Sequence, residues 1–457
     1  MSEGLELAER AVRAADGDEA QAIVRRESSG LARYAASEVH QPTLVENEVV
    51  ELQVVRDGRL GIAVGNRPGE DGLRELAARA AEAAASAPAD PDFPGLTPKT
   101  DPAEVEGYDA ATAGLGAADQ AGLAATAIDA ADLDLYGFVT SGETELAIAS
   151  TTGLSLSQTM TDAAVLALAA VEGASGYAEQ SSWRIGGIDP AATAREAVAK
   201  AERTRGATEI EPGSYAAVLE PYAFAELLLY FSYDAFGSLG LLEERSFASG
   251  RIGEKVFDER FSLADDALDP RGFPKAFDFE GSPKQRVELV RDGVLEGVVW
   301  GRQSAARAGN GQQTTGHGPP SSLRHWGPLP YALSVAGGEA ESAEELAELV
   351  GDGIYVTRPA LPEHRQPARG HHHRHDARRD LPHPRRPGRR TARQPALHRL
   401  RAGAPGRAAR PDPRAGVGER GVVLRRALPE RRPHPGGRDR PLRRHRDRLY
   451  PRGLTAA

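Results

Sequence analysis

The chain has 457 residues and a formal net charge of −10, a figure that averages two unlike segments: residues 1–358 carry 58 Asp+Glu against 29 Lys+Arg, while the last 99 carry 27 Arg, no Lys and 8 acids. The excess of 29 negative charges in the first segment argues against nucleic-acid and anionic-membrane partners. With no cysteine anywhere, disulfides, thiolate nucleophiles and Cys-ligated metals are excluded in this chain.

The opening, MSEGLELAERAVRAADGDEAQ, is acidic and lacks an apolar signal core, and no apolar run is long enough to span a bilayer, so the expected location is cytoplasmic. Leu5 to Ala15 has helical periodicity, and Val49 to Val55 reads as a strand. Arg56-Asp57-Gly58 supplies a tight turn, because Asp-Gly tolerates positive φ, and Leu60 to Val64 returns as the partner strand. Leu73 to Ala85 is Ala-rich and helical; a Pro/Asp/Gly loop follows to about Asp109, then a helix over Ala118 to Ala131. Tyr136 to Thr140, Glu145 to Ser150 and Ala164 to Val171 alternate as antiparallel strands. Asp189 caps and Pro190 opens a helix over Ala191 to Arg205, which Gly206 ends.

Thr208 to Gly213 marks a boundary. Beyond it come a strand (Ser214 to Leu219), a helix opened by Pro221 (Tyr222 to Tyr233) and a hairpin of Gln285 to Val290 with Val294 to Trp300 about Arg291-Asp292-Gly293. Ser342 and Glu345 form a capping box for a short helix that leads into the strand Gly353 to Val356. This irregular mixture predicts an α+β fold in two domains. Residues 1–207 form a mixed α+β domain and 208–358 a strand-rich antiparallel domain that is incomplete here. Residues 359–457 form a disordered Arg/Pro/His-rich tail with too few large apolar side chains to offset ordering entropy.

That tail reads as the product of a shifted reading frame. Pro359 to Asp380, back-translated with synonymous codons and read one nucleotide later, can give LHYLNIVNPREGIITGMTRDG, an alternating strand followed by a turn. Thr391 to His398 can likewise give PLVNLRF. On this reading His371-His372-His373 is an accident of the frame rather than a metal-binding tract, and a basic nucleic-acid-binding arm is the competing reading. Sequencing the gene across the Arg358 codon is expected to find the frame shifted there; an intact frame would contradict it.

Several segments together resemble the TldD/PmbA family of bacterial and archaeal metallopeptidase proteins, also called the modulator of DNA gyrase family. They are Val50 to Gly65, Ser141 to Thr161, Ile188 to Pro221, Ser246 to Val256, Phe277 to Gly309 and Gly351 to Arg358. The shifted-frame peptides resemble the same family's C-terminal strands and closing motif. The resemblance implies a two-domain fold and, in TldD-type members, zinc held by an H-E-x-x-x-H helix with a further Cys ligand, the Glu activating the metal-bound water. Counting forward from Leu219-Glu220-Pro221 and backward from Gly250-Arg251-Ile252-Gly253 places Leu229, Tyr230 and Asp234 at the motif's His, Glu and His. One carboxylate is not a metal site. The resemblance therefore implies a PmbA/TldE-like, metal-free subunit with no catalytic or cofactor residues of its own. Its partner would be a TldD-type subunit that carries the zinc, and the substrate a small, unfolded or modified peptide. A peptidase with a rebuilt site and a scaffold without a peptidase partner are the alternatives.

His40, His317 and His325 lie on separate segments without ligand spacing and read as surface or loop residues. His317, in the Gly/Pro loop Thr314 to Ser322, and Asp234 are the two candidates for a substrate cavity. Glu243-Glu244-Arg245 reads as a solvated charge cluster. Ser150-Thr151-Thr152 has no paired base, and Gly309-Asn310-Gly311 lacks the Gly-Lys-Ser/Thr of a phosphate loop.

Overall fold

The computed structural model describes residues 2–208, 210–211 and 213–358, with the backbone of 398–400. Apart from that backbone, the proposed frame-shifted tail, His371–His373 included, lies outside the described residues.

Six long strands make one antiparallel sheet: β1 (Glu19–Ala35), β2 (Glu38–Arg56), β3 (Arg59–Gly65), β4 (Asp134–Ser150), β5 (Ser155–Val171) and β6 (Ala174–Ser182), in the order β3-β2-β1-β4-β5-β6. Side chains alternate between its faces. In β1, Ala22, Val24, Ala32 and Tyr34 point to one face and Ile23 to the other. The first face is covered by helices α1 (Glu3–Ala14), α2 (Glu70–Ser86), α4 (Ala117–Asp129) and α5 (Pro190–Arg203), with the short α3 (Ala110–Ala113) leading into α4. These helices present alanine to the sheet: Ala77 and Ala80 from α2, Ala124 and Ala127 from α4, Ala194, Ala197 and Ala201 from α5. The sheet answers with Gly61 and Gly176, where an added Cβ would overlap backbone atoms of Ala80 and Ala84 or of Ala197 and Ala201. Small residues on both sides let the helices sit directly on the sheet.

The second face is covered by the C-terminal half. Ile23, Leu146, Ile148, Leu154 and Leu156 form a common core with Ala276 and Phe277. Trp183 Nε1 donates to the Pro270 carbonyl at 2.8 Å, adding a polar tie across the same seam. The halves on either side of the predicted boundary thus share buried surface.

The C-terminal half consists of β7 (Ala217–Leu219), α6 (Pro221–Ala235), α7 (Ser238–Leu242), β8 (Leu263–Asp265), β9 (Val287–Arg291), β10 (Val294–Leu295), α8 (Arg302–Ala308), β11 (Leu333–Val335), α9 (Ala343–Val350) and β12 (Gly353–Val356). A four-stranded sheet runs β10-β9-β8-β11; β12 pairs in parallel with β7, and His398–Leu400 adds antiparallel to β12. Phe236, Leu289, Val290, Leu295 and Val299 fill its core, and Phe231 packs edge-on against Phe236, Phe247 and Phe257 at centroid distances of 5.2–6.0 Å. No helix among the described residues is long and apolar enough to cross a membrane.

The α+β expectation holds, with differences in detail. The strands predicted over 136–140 and 145–150 are one strand, β4, because Ser141-Gly142-Glu143 continues the ladder. Four strands escaped the pattern altogether: the long β1 and β6 and the three-residue β8 and β11. The middle of β1, Arg25 to Gly30, is polar although it pairs on both sides. The second half is less strand-rich than expected: its strands span two to five residues and loops carry most of its backbone.

Candidate functional site

Two places hold the residues with chemical potential. The first is α6, which carries the motif register. Pro221 occupies its first turn, and Leu228, Ser232 and Ala235 form its buried stripe. Leu229 and Tyr230 are half-buried and Asp234 is exposed. At 100° per residue, Tyr230 and Asp234 lie on the side away from that stripe, with Leu229 on its flank. A zinc site needs three or four N, S or O ligands converging on one point. A leucine, a tyrosine and one carboxylate do not fit that ion.

The second place is the seam between the first sheet and the C-terminal half, where buried charge concentrates. Asp265, at the end of β8, is fully buried. One carboxylate oxygen meets His317 Nε2 at 2.8 Å; the other accepts from the backbone N–H of Tyr331 at 2.6 Å and of Ala332 at 2.8 Å. Burial alone would raise its pKa, but His317, Lys284 and these donors outweigh it and hold it at about 2. Burial and the nearby Lys284 push His317 below its usual value, and Asp265 only partly opposes them. The neutral ring then donates from Nε2 to Asp265 and accepts at Nδ1 from Thr315 Oγ1, 2.9 Å away.

Asp265, His317 and Thr315 have the order of a nucleophile relay, but Thr315 Oγ1 also accepts from Trp300 N at 2.8 Å, and the His317 and Asp265 side chains are wholly buried. This line fastens a loop. His317 is therefore not the surface or flexible-loop residue the sequence suggested. The glycines around it serve close packing: Gly316, at φ 74°, lies against the backbone of Pro283 and Lys284, and Gly318 against the Glu280 side chain.

The adjoining turn adds a carboxylate pair, Asp278 buried and Glu280 partly so. Asp278 Oδ1 accepts from Glu280 N at 2.9 Å and Ser282 N at 2.8 Å, and its Oδ2 accepts from Gly318 N at 2.6 Å. Burial, then repulsion from Glu280, raises Asp278 to about 7 in spite of these donors. Glu280 is raised by burial as well, against the opposing pull of Arg302 and Arg324; its carboxylate accepts from the first amide of α8, Arg302 N, at 2.6 Å. Lys275 and Lys284 are buried nearby and both are lowered by burial.

Beside this cluster the seam opens into a cavity of about 270 Å³. Its floor is the second face of the sheet (Gln21, Gln53, Leu60, Ile62), one wall is the loop Phe93 to Thr97, and the roof is the start of α8 with the segment from Pro319 to Pro328. Neither His317 nor Asp234 lines it. Arg302 and Arg324, which do, escaped the sequence reading, as did Gln21, the buried Asp265, Asp278 and Lys284, and the partly buried Glu280. Apart from the apolar alternation around Asp265, nothing local marks them.

Residues 20–84 match the PmbA/TldA metallopeptidase domain 1, and residues 212–373 match the PmbA/TldA metallopeptidase C-terminal domain. An uncharacterised protein of Methanocaldococcus jannaschii is 34% identical over 115 residues, covering 25% of this chain and 26% of that protein. A metalloprotease TldD homolog of Haemophilus influenzae is 31% identical over 117 residues, covering 25% and 23%. The aligned stretches thus span about a quarter of these curated relatives. The crystal structure of TldE from Thermococcus kodakarensis superposes with a TM-score of 0.70 at 19% identity, covering 78% of this chain and 82% of that one, a likeness of fold.

Proposed function

From the premise that this chain belongs to the PmbA/TldD family, we propose that it is a non-catalytic, TldE-like subunit of a cytoplasmic peptidase complex that processes small, unfolded or modified peptides. The observation that carries this reading is α6. By the register that the resemblance implies, it stands where a TldD-type subunit would carry its zinc-binding helix, and it offers Leu229, Tyr230 and the single carboxylate of Asp234. None of these can stand in for an imidazole pair, and no step of hydrolysis can be built on them. Zinc and the water it activates would reside in a TldD-type partner. This chain would contribute surface that completes the complex and admits peptide. Asp234, exposed near the end of α6, is the candidate for contact in the chamber; His317 acts there only indirectly, by holding the loop it is buried in.

The test is metal content. The chain purified alone, exposed to excess zinc and desalted, is expected to retain none in stoichiometric amount by elemental analysis. One tightly held zinc per chain, lost on replacing Asp234 with alanine, would overturn the reading.

A further inference from the structure

We propose that the seam cavity is a binding site for the carboxylate end of a short peptide. Three observations carry this. First, the cavity's ionisable lining is Arg302, Arg307 and Arg324 against Glu280 alone, in a segment where acids outnumber bases two to one. Second, neither Arg302 nor Arg324 has a carboxylate within salt-bridge distance among the described residues. Arg302 reaches only the carbonyls of Pro94, Gly95 and Leu96 at 3.4–3.5 Å, and Arg324 holds Gln303 Oε1 at 2.7 and 3.1 Å. Glu280, the one acid in the lining, is turned onto the first amide of α8. Third, Gln21 is 1% exposed, lines the cavity, and its Oε1 has no hydrogen-bond partner among the described residues. A buried amide oxygen without a donor is rare, because leaving it unpaired costs free energy.

A ligand that satisfies all three has a carboxylate for the guanidinium groups, an N–H for Gln21 and an apolar body for Phe93, Leu96 and Phe279. The last residue of a peptide has each of these. A volume of about 270 Å³, the room of about nine waters, suits one or two residues rather than a longer chain. Guanidinium forks bind carboxylate through paired, charge-assisted hydrogen bonds, which supplies the selectivity. The inference stands apart from the auxiliary-subunit reading: a chain with its own metal could hold the same ligand.

The test is calorimetric titration of the full chain with N-acetyl-Leu-Phe as the free acid and as its C-terminal amide, with inorganic phosphate as competitor. The acid is expected to bind at least tenfold more tightly than the amide. Arg324→Gln should weaken the acid about tenfold and leave the amide unchanged, with the melting temperature reporting that the variant is folded. Gln21→Leu should weaken both forms alike, since it removes the acceptor for their shared N–H. Equal binding of acid and amide, no binding of either, or an unaltered affinity in a folded Arg324→Gln chain would each overturn the proposal. Phosphate binding as tight as the acid's would make this a general anion site and overturn the peptide assignment.

Discussion

Replacing Asp265 with alanine is expected to destabilise the fold by about 3–5 kcal/mol, the range found when one partner of a buried charged pair is removed. The carboxylate is the common acceptor for His317 Nε2 and the amides of Tyr331 and Ala332, and it faces the buried Lys284. Without it, the amides of Tyr331 and Ala332 and the His317 imidazole lose their common acceptor at once, and the buried Lys284 loses a nearby countercharge. Asp265→Asn keeps the shape and should cost less. The pH dependence follows from the shifts. Asp265 titrates near 2 in the folded chain, below its unfolded value, so its contribution is complete above about pH 4 and is lost as pH falls toward 2. His317 is lowered too, so protonating it also costs stability as pH falls. Asp278, raised to about 7, acts in the opposite sense: its contribution is complete below about pH 4 and is lost as pH rises through 7. The difference between wild type and Asp265→Asn carries the first effect, together with the change that losing the carboxylate makes to His317. Urea denaturation at pH 7 and pH 3 should show the two chains converging at the lower pH. A constant gap would show that the fold does not lower the pKa of Asp265.

Gly61→Val and Gly176→Val should each destabilise by about 3 kcal/mol or more, at or above the upper end for overpacking. At both positions the new Cβ meets helix backbone rather than the tip of a flexible side chain: Ala80 and Ala84 of α2, or Ala197 and Ala201 of α5. Relief requires lifting a whole helix from the sheet and opening the alanine interface beneath it. Gly122, inside α4, provides the contrast. A Cβ there meets nothing within 4 Å, so Gly122→Ala should stabilise by about 0.5–1 kcal/mol through helix propensity and reduced unfolded-chain freedom. Thermal denaturation of the three variants checks this; Gly61→Val melting with wild type would mean that α2 does not rest on the sheet as described.

What could be read from the chain was local. Asp189 and Ser342 cap α5 and α9 through their side chains, and Pro221 opens α6. The two Asp-Gly turns have the positive φ they advertise, at 50° and 69° for Asp57-Gly58 and 47° and 79° for Asp292-Gly293. What could not be read depends on contacts distant in sequence. Arg25 to Gly30 is polar and carries no strand-like alternation, yet β1 is held there by ladders on both sides. The meeting of Ile23 with Phe277 leaves no mark in either segment. The seam site was invisible for the same reason, since Gln21, Arg302 and Arg324 become a site only when the second half closes over the sheet. The loop Thr314 to Ser322 misled because glycine signals flexibility and close packing with the same letter; here it is packing around His317 and Glu280.

The measurement that bears most directly on the auxiliary role is peptide hydrolysis by this chain alone, by a TldD-type subunit alone and by their mixture, with co-elution followed in parallel. The account predicts no cleavage by this chain, a stable mixed complex, and cleavage in the mixture that is gained or altered relative to the TldD-type subunit. Cleavage by this chain in isolation, abolished by a chelator, would contradict it.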